Sequence, residues 1–326
     1  MSASPESGQR DYANCDGVEL AQRIKRGDIT AKQALDSAYA IIRAIDPKVN
    51  AFVSLQEEQA YSRAGESLSG PLAGVPVSMK DCVGLVKDVR RDFGSRLSAG
   101  TSIDFDEEVV VRMKRAGLVP MGTTNVPEFS SSVSTESKLH GPCRNPWDLA
   151  RSAGGSSGGA AAAVAYGAVP IAYGNDAAGS IRVPASSCGL FGFKPSRGRV
   201  PTGPEYSEFW FGLMVHHVIT RSVRDSAVVL DATEGIDVGA PYGIPDKSSD
   251  YTSVVSRDPG RLRIAVSDGA AQGFRISPDC REALAATVEL LADLGHDVVE
   301  ASPDYDGSEL LEKVTTILAV SLAQEI

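Results

Sequence analysis

Two small-residue segments on either side of one apolar run limit what this chain can become more than any other feature. Residues 152–160 read SAGGSSGGA, with four glycines and no charge. On composition alone such a stretch is a flexible linker, because glycine and serine leave the backbone nearly free. The neighbouring sequence argues otherwise. Residues 160–174, AAAAVAYGAVPIAYG, are apolar, and they lead into NDAAGSIRVPASSCGLFGFKPSRGRVP, a second segment rich in small residues that carries Ser180. A linker has no reason to border a buried element on each side.

Helical and extended patterns alternate around this core. TAKQALDSAYAIIRAIDP opens with Thr30 and Gln33 at capping-box spacing and places Leu35, Ala38, Ile42 and Ile45 on one stripe, so a helix is expected from Thr30 to a stop at Asp46-Pro47. Val75 to Met79 reads as a buried strand with Lys80 at its end. DEEVVVRMKRAG is the next helix, closed by Gly117, and LVPMGTTN the next strand. Lys138 to Ser152 reads as a polar loop, Gly158 to Tyr166 as a buried helix and VPIAYG as a strand. Further on, SVRDSAVVLDA and PDCREALAATVELLADLG read as helices, and LRIAV and DVVEA as strands. PTGPEYSEFWFG and GAPYGIPDKSSD read as loops whose aromatics either line a pocket or simply pack. Such alternation is the pattern of an α/β fold, a sheet covered by helices on both faces.

Composition narrows the functional classes. A net charge of -10 gives no electrostatic footprint for a phosphate backbone, so nucleic acid is not expected as a partner. No apolar run is long enough to span a bilayer, and the first residues lack the pattern of a secretory leader. The five cysteines, at 15, 82, 143, 188 and 280, are widely spaced and odd in number, which points away from a disulfide framework and toward a cytoplasmic protein. The four histidines, at 140, 216, 217 and 296, show no metal-ligand spacing, so no metal is expected.

Ser180 follows Gly179 and precedes IRVPAS, where a tight small-residue loop delivers it to the start of a helix. There, unpaired backbone N–H groups can converge on a developing oxyanion. An ordinary N-cap serine fits the same position. A serine nucleophile also needs a base, and no histidine lies near either segment. A lysine serves if burial makes it lose its proton readily, and Lys80, between VPVSM and DCVG, is the candidate. Lysines at strand ends are, however, more often on the surface.

The combination of VSMKD (77–81), GGSSGG (154–159) and GNDAAGSIRVPASSCGLFGFKP (174–195) resembles the amidase signature family, whose members hydrolyse carboxamides through a Ser–Ser–Lys triad. Weaker resemblance runs through GTTNVPEF, GPCRNPWD and RSVRDSAVVLD. It implies a mixed sheet, a nucleophile at Ser180, a bridging serine at Ser156 and a base at Lys80. It also implies a cis peptide bond at Gly155–Ser156, an oxyanion hole built from the N–H groups of Ala177, Ala178, Gly179 and Ser180, and support from Ser157, Asp176 and Arg182. No cofactor is implied, and the partner is a small-molecule amide; a homo-oligomer stays open. The motif NDAAGS is closer to bacterial amidases of the 6-aminohexanoate cyclic-dimer hydrolase type than to the tRNA-dependent amidotransferases, where glutamine commonly follows SIR and this chain has Val183. An amidotransferase component and a non-catalytic fragment are the alternatives.

Residues 1–15 read as a loose tail and 16–326 as one amidase signature domain. The chain closes inside a helical stripe of Leu311, Val314, Leu318 and Leu322 with no stop signal, so C-terminal truncation is expected, with that stripe left uncovered.

Overall fold

A computed structural model describes residues 7–269 and 274–325. Where the sequence outlines one domain over 16–326, the chain divides into two compact units that meet in sequence at Val255 and Ser256. Residues 1–6 of the expected tail lie outside the described residues. From Ser7 to Asn14 the chain is helical, and the buried Tyr12 donates its hydroxyl proton to Ala168 O at 2.9 Å, so the loose-tail reading fails from Ser7 onward.

The first unit is built on a six-stranded mixed sheet. Its strands run in the order Phe52–Leu55, Val119–Thr124, Pro76–Lys80, Ile171–Asp176, Val215–Thr220, Phe191–Gly192. The middle three are mutually parallel, and the strands at 52–55 and 215–220 join them antiparallel. All five residues of Pro76–Lys80 and all six of Ile171–Asp176 are buried, as central parallel strands covered on both faces must be. Because these two strands are parallel, with Ser78 opposite Ala172, their carboxyl ends reach the same edge of the sheet. That edge is where open α/β sheets bind ligands.

Helices cover the sheet, among them Ala31–Val49, Gly158–Ala165 and Val223–Thr233. The capping box at Thr30 and Gln33 forms as the spacing requires. The helix does not stop at Asp46-Pro47. It runs on to Val49, with Pro47 inside it and Asn50 closing it in the left-handed conformation. The Asp46 carboxylate accepts from Ala51 N, Phe52 N and Tyr166 Oη, and Val49 is buried, so tertiary anchors outweigh the proline's preference. The expected polar loop from Lys138 to Ser152 contributes to two short antiparallel pairs, 141–142 with the preceding 136–137, and 144–145 with 148–152.

The helix Gly158–Ala165 explains the first glycine segment. Gly158 to Val164 are all buried. A Cβ on Gly159 would lie 2.4 Å from Asn125 N and 2.5 Å from Ala51 O, and one on Gly158 would lie 2.3 Å from Thr135 Oγ1. These glycines permit close backbone approach and do not make a hinge.

The second unit pairs the strands Arg263–Val266 and Asp297–Glu300 in parallel, Arg263 opposite Asp297. Parallel strands need a crossover. The helix Pro278–Asp293, capped by Ser277, provides it, and Gly307–Glu325 follows as a further helix. Leu290, Leu294, Leu310 and Leu311 remain exposed. Among the described residues no helix is long and apolar enough to cross a membrane.

The glycine reading is testable. Gly159→Ala should destabilise the first unit by about 1–3 kcal/mol, the usual cost of overpacking, whereas Gly243→Ala, with nothing within 4 Å of its Cβ position, should stay within about 0.5 kcal/mol. Urea unfolding read by Trp147 and Trp210 fluorescence measures both; equal midpoints would refute the close-approach argument.

Candidate active site

Lys80 ends the central strand, yet only 2% of its surface is exposed. Its Nζ lies 2.7 Å from Ser156 Oγ and 2.7 Å from Asn175 Oδ1. Burial pushes its pKa down to about 8, against smaller opposing effects of Cys82 and Asp176. The surface-lysine alternative therefore does not describe this residue. Burial also drives His216 and His217 down to about 3, with Lys80 adding to the effect on His216, so both imidazoles are neutral at pH 7. Of these buried groups the lysine is the one whose proton comes and goes near neutrality.

Ser156 follows a cis Gly155–Ser156 peptide bond and is fully buried. A Cβ on Gly155 would lie 2.7 Å from Ser132 O, which accounts for glycine there. Ser157 N donates to Ser180 O at 3.1 Å, tying the first small-residue segment to the second, and Ser157 Oγ makes a longer contact of 3.5 Å with Asn175 O. Ser180 lies in the turn between the strand Ile171–Asp176 and the helix Arg182–Cys188. The N-cap position falls on Ile181 and no side chain caps the helix, so Ser180 is not an N-cap serine.

The turn is held by Asp176, whose carboxylate accepts from Gly179 N at 2.7 Å and from Ile181 N at 3.2 Å. It also forms a two-point pair with the Arg182 guanidinium, both contacts at 2.8 Å. Burial by itself would raise the Asp176 pKa, but Arg182 and the backbone N–H groups hold it below the usual carboxylate value. One expectation changes here. Gly179 N–H is committed to Asp176, so it is not free to hold an oxyanion. No hydrogen bond within the described residues takes up the N–H groups of Ala177, Ala178 or Ser180.

Ser156 and Ser180 line one small cleft, walled by Phe93, Phe129, Phe209 and Trp210. Phe93, Phe129 and Trp210 adopt left-handed backbone conformations, with φ of 51°, 51° and 50°, as does Ser130 at 56°. Bulky residues rarely accept that region, and where they do the surrounding structure must enforce it. Phe209 and Trp210 of the 201–212 stretch thus do line a pocket, whereas nothing in the sequence marked Phe93, or Phe129 at the end of GTTNVPEF, as part of its wall. Asn175 and Cys82 also face this cleft, and their chemistry was not read from the sequence, although Asn175 lies inside a quoted motif and Cys82 directly after one.

Among the described residues, one trio of potential ligand groups, Asp81, Asp92 and His140, brings its atoms within 4.8 Å of one another. Its hydrogen bonds give it a different task. Asp81 accepts from Asp92 N and Gly94 N, and Asp92 from Gly100 N and Arg90 Nε, which clamps the segment after Lys80 and sets Phe93 in place.

A family model described as amidase matches residues 33–325. A 6-aminohexanoate-cyclic-dimer hydrolase of Paenarthrobacter ureafaciens is 39% identical over 317 residues, covering 95% of this chain and 64% of that protein. A solved structure of 6-aminohexanoate cyclic dimer hydrolase complexed with substrate superposes with a TM-score of 0.90 at 37% identity, over 97% of this chain and 66% of the other. A glutamyl-tRNA(Gln) amidotransferase component of Rhodopirellula baltica matches at 37% over 294 residues, with 86% and 58% covered. The chain thus spans a little under two thirds of the length of the first of these relatives.

The Asp176 clamp carries a pH signature. Asp176→Asn should cost about 1.5–3 kcal/mol at pH 6, the range for hydrogen bonds to a charged group. The folded carboxyl titrates below its unfolded value of about 3.9, so this stability is present above that value and is lost as the pH falls through the lower folded one. Urea midpoints of the two proteins should draw together as the pH falls below the unfolded value; a gap that does not change with pH would contradict the assignment.

Proposed function

The chain belongs to the amidase family, and from that premise we propose that it hydrolyses a carboxamide C–N bond through an acyl-enzyme, with Ser180 as nucleophile, Ser156 as relay and Lys80 as base. One observation carries the reading. A fully buried lysine, its pKa pushed down to about 8 by that burial, lies 2.7 Å from the hydroxyl of a buried serine that shares a cleft with Ser180.

Neutral Lys80 takes the Ser156 proton as Ser156 takes that of Ser180, and Ser180 Oγ bonds to the amide carbon. The carbonyl electron pair moves to oxygen, which the N–H groups of Ala177, Ala178 and Ser180 are free to receive. Collapse expels the amine with the C–N electron pair, and it leaves carrying the proton returned through Ser156. Water then attacks the ester by the same relay in reverse. Asp176 and Arg182 act by fixing the turn, and Ser157 by holding Ser180 O. This chemistry calls for no cofactor.

The aromatic wall favours an amide flanked by apolar chain, linear or cyclic, in keeping with the relative that is named for hydrolysing a cyclic dimer. The five cysteines are all free, which fits a reducing, cytoplasmic setting. Val183 after Ser180-Ile181-Arg182 sets the chain apart from the amidotransferase pattern, and hydrolysis without a partner protein would separate the two activities.

Serine-directed phosphonate capture, located by peptide mass spectrometry, tests the mechanism. Ser180→Ala should abolish capture, and Lys80→Ala and Ser156→Ala should each slow it by about 10²–10⁴, the range for lost acid–base help. In the unaltered chain the rate should rise with pH through about 8 as Lys80 becomes neutral. Undiminished capture in Ser180→Ala sinks the assignment.

A further inference from the structure

Lys80 Nζ has a second hydrogen-bond partner that the relay does not use, Asn175 Oδ1 at 2.7 Å. Asn175 is buried in the strand Ile171–Asp176, opposite His216 of the neighbouring strand. Its amide has a fixed sense, because Nδ2 donates to Cys82 Sγ at 3.1 Å and leaves Oδ1 for the lysine. An amide oxygen only accepts, so this contact consumes an Nζ–H whether Lys80 is an ammonium or a neutral amine. The neutral amine keeps two N–H bonds and one lone pair. With one N–H held by Asn175, the lone pair is confined to directions that include Ser156.

We propose that Asn175 is a positioning residue for Lys80: its carbonyl oxygen holds one Nζ–H and turns the nitrogen's lone pair toward Ser156, while Cys82 Sγ keeps the amide in that sense. The proposal rests on the reading of Lys80 as base. Neutrality of the partner matters as much as its position. An aspartate at 175 would form an ion pair and hold the lysine protonated, whereas an alanine would leave an N–H unpaired and the nitrogen free to turn. The other titratable groups facing Lys80 are Cys82 from the segment after its own strand, Asp176 from the adjacent strand and His216 from the next. Asp176 is already paired with Arg182 and His216 is neutral, so neither fixes Lys80 as an ammonium.

The test measures Lys80 directly, by ¹³Cε lysine NMR titration of the full chain, with its signal assigned through Lys80→Met, and in parallel follows phosphonate capture against pH. In Asn175→Asp the Lys80 midpoint should rise by about one unit or more and capture at pH 7 should fall about tenfold or more, recovering at higher pH, since one unit is a tenfold change in the neutral fraction. In Asn175→Ala the midpoint should fall, because an acceptor that favours the charged form is gone, while the limiting rate at high pH drops about tenfold for want of aim. Opposite shifts in the two variants support the proposal. Unchanged midpoints, or slower capture with an unaltered pH profile, overturn it. If Asn175→Asp does not fold, the Asn175→Ala midpoint and limiting rate decide alone. Absence of capture by the unaltered chain would count against the hydrolase reading, and the Lys80 midpoints would still decide the role of Asn175.

Discussion

A primary amine held out of water is the constraint on which the rest of this structure depends. Lys80 is buried at the end of a central strand and is met there by two neutral oxygens, one from a serine and one from an asparagine amide. Removing a cation from water is costly unless it is paired, and here the cost appears as an easily lost proton instead of an ion pair. The groups that touch the lysine have to be close and uncharged, and the carboxylate nearby, Asp176, is taken up by Arg182. The parallel strands on each side, the alanine helix and the glycines that let the backbones touch meet that requirement together.

Much of this was legible in the sequence because it is local. Hydrophobic period and capping signals located the helices around 31–49, 108–115 and 223–233, and short apolar runs located the strands at 76–80 and 119–124. The site was legible for a different reason. Three separated motifs resemble one family, and the resemblance supplied a spatial relation that spacing cannot, since 76 residues separate Lys80 from Ser156. The fold brings Lys80, Ser156, Ser157, Asp176, Ser180 and Arg182 to one edge of the sheet.

What escaped the sequence was decided by tertiary context. Pro47 signals a helix end, but the Asp46 carboxylate, satisfied by backbone groups beyond it, carries the helix through. Gly179 has the N–H an oxyanion would want, and a fully buried carboxylate three residues earlier takes it. Asn175 and Cys82 lie inside or beside the motifs that carry the resemblance, yet their roles exist only once two strand ends are side by side. The segment that looks like a tail folds from Ser7 because Tyr12 finds a carbonyl at residue 168. Each reversal involves a polar group finding a particular partner, near or far in sequence, which a period or a composition does not register.

The left-handed backbone at Phe93, Phe129, Ser130 and Trp210 ties the shape of the cleft to the packing around it. At each of these positions glycine would relieve about 1 kcal/mol or more of conformational cost. Phe93 is buried, however, and Phe129 and Trp210 pack against the same apolar cluster, and losing a well-packed ring costs about 3–5 kcal/mol. Packing therefore outweighs strain, and the rings hold the backbone in a conformation it would otherwise leave. Variation that reshapes the entrance to Ser180 has to exchange one ring for a side chain of similar volume, so the cleft changes by substitution in kind more readily than by erosion.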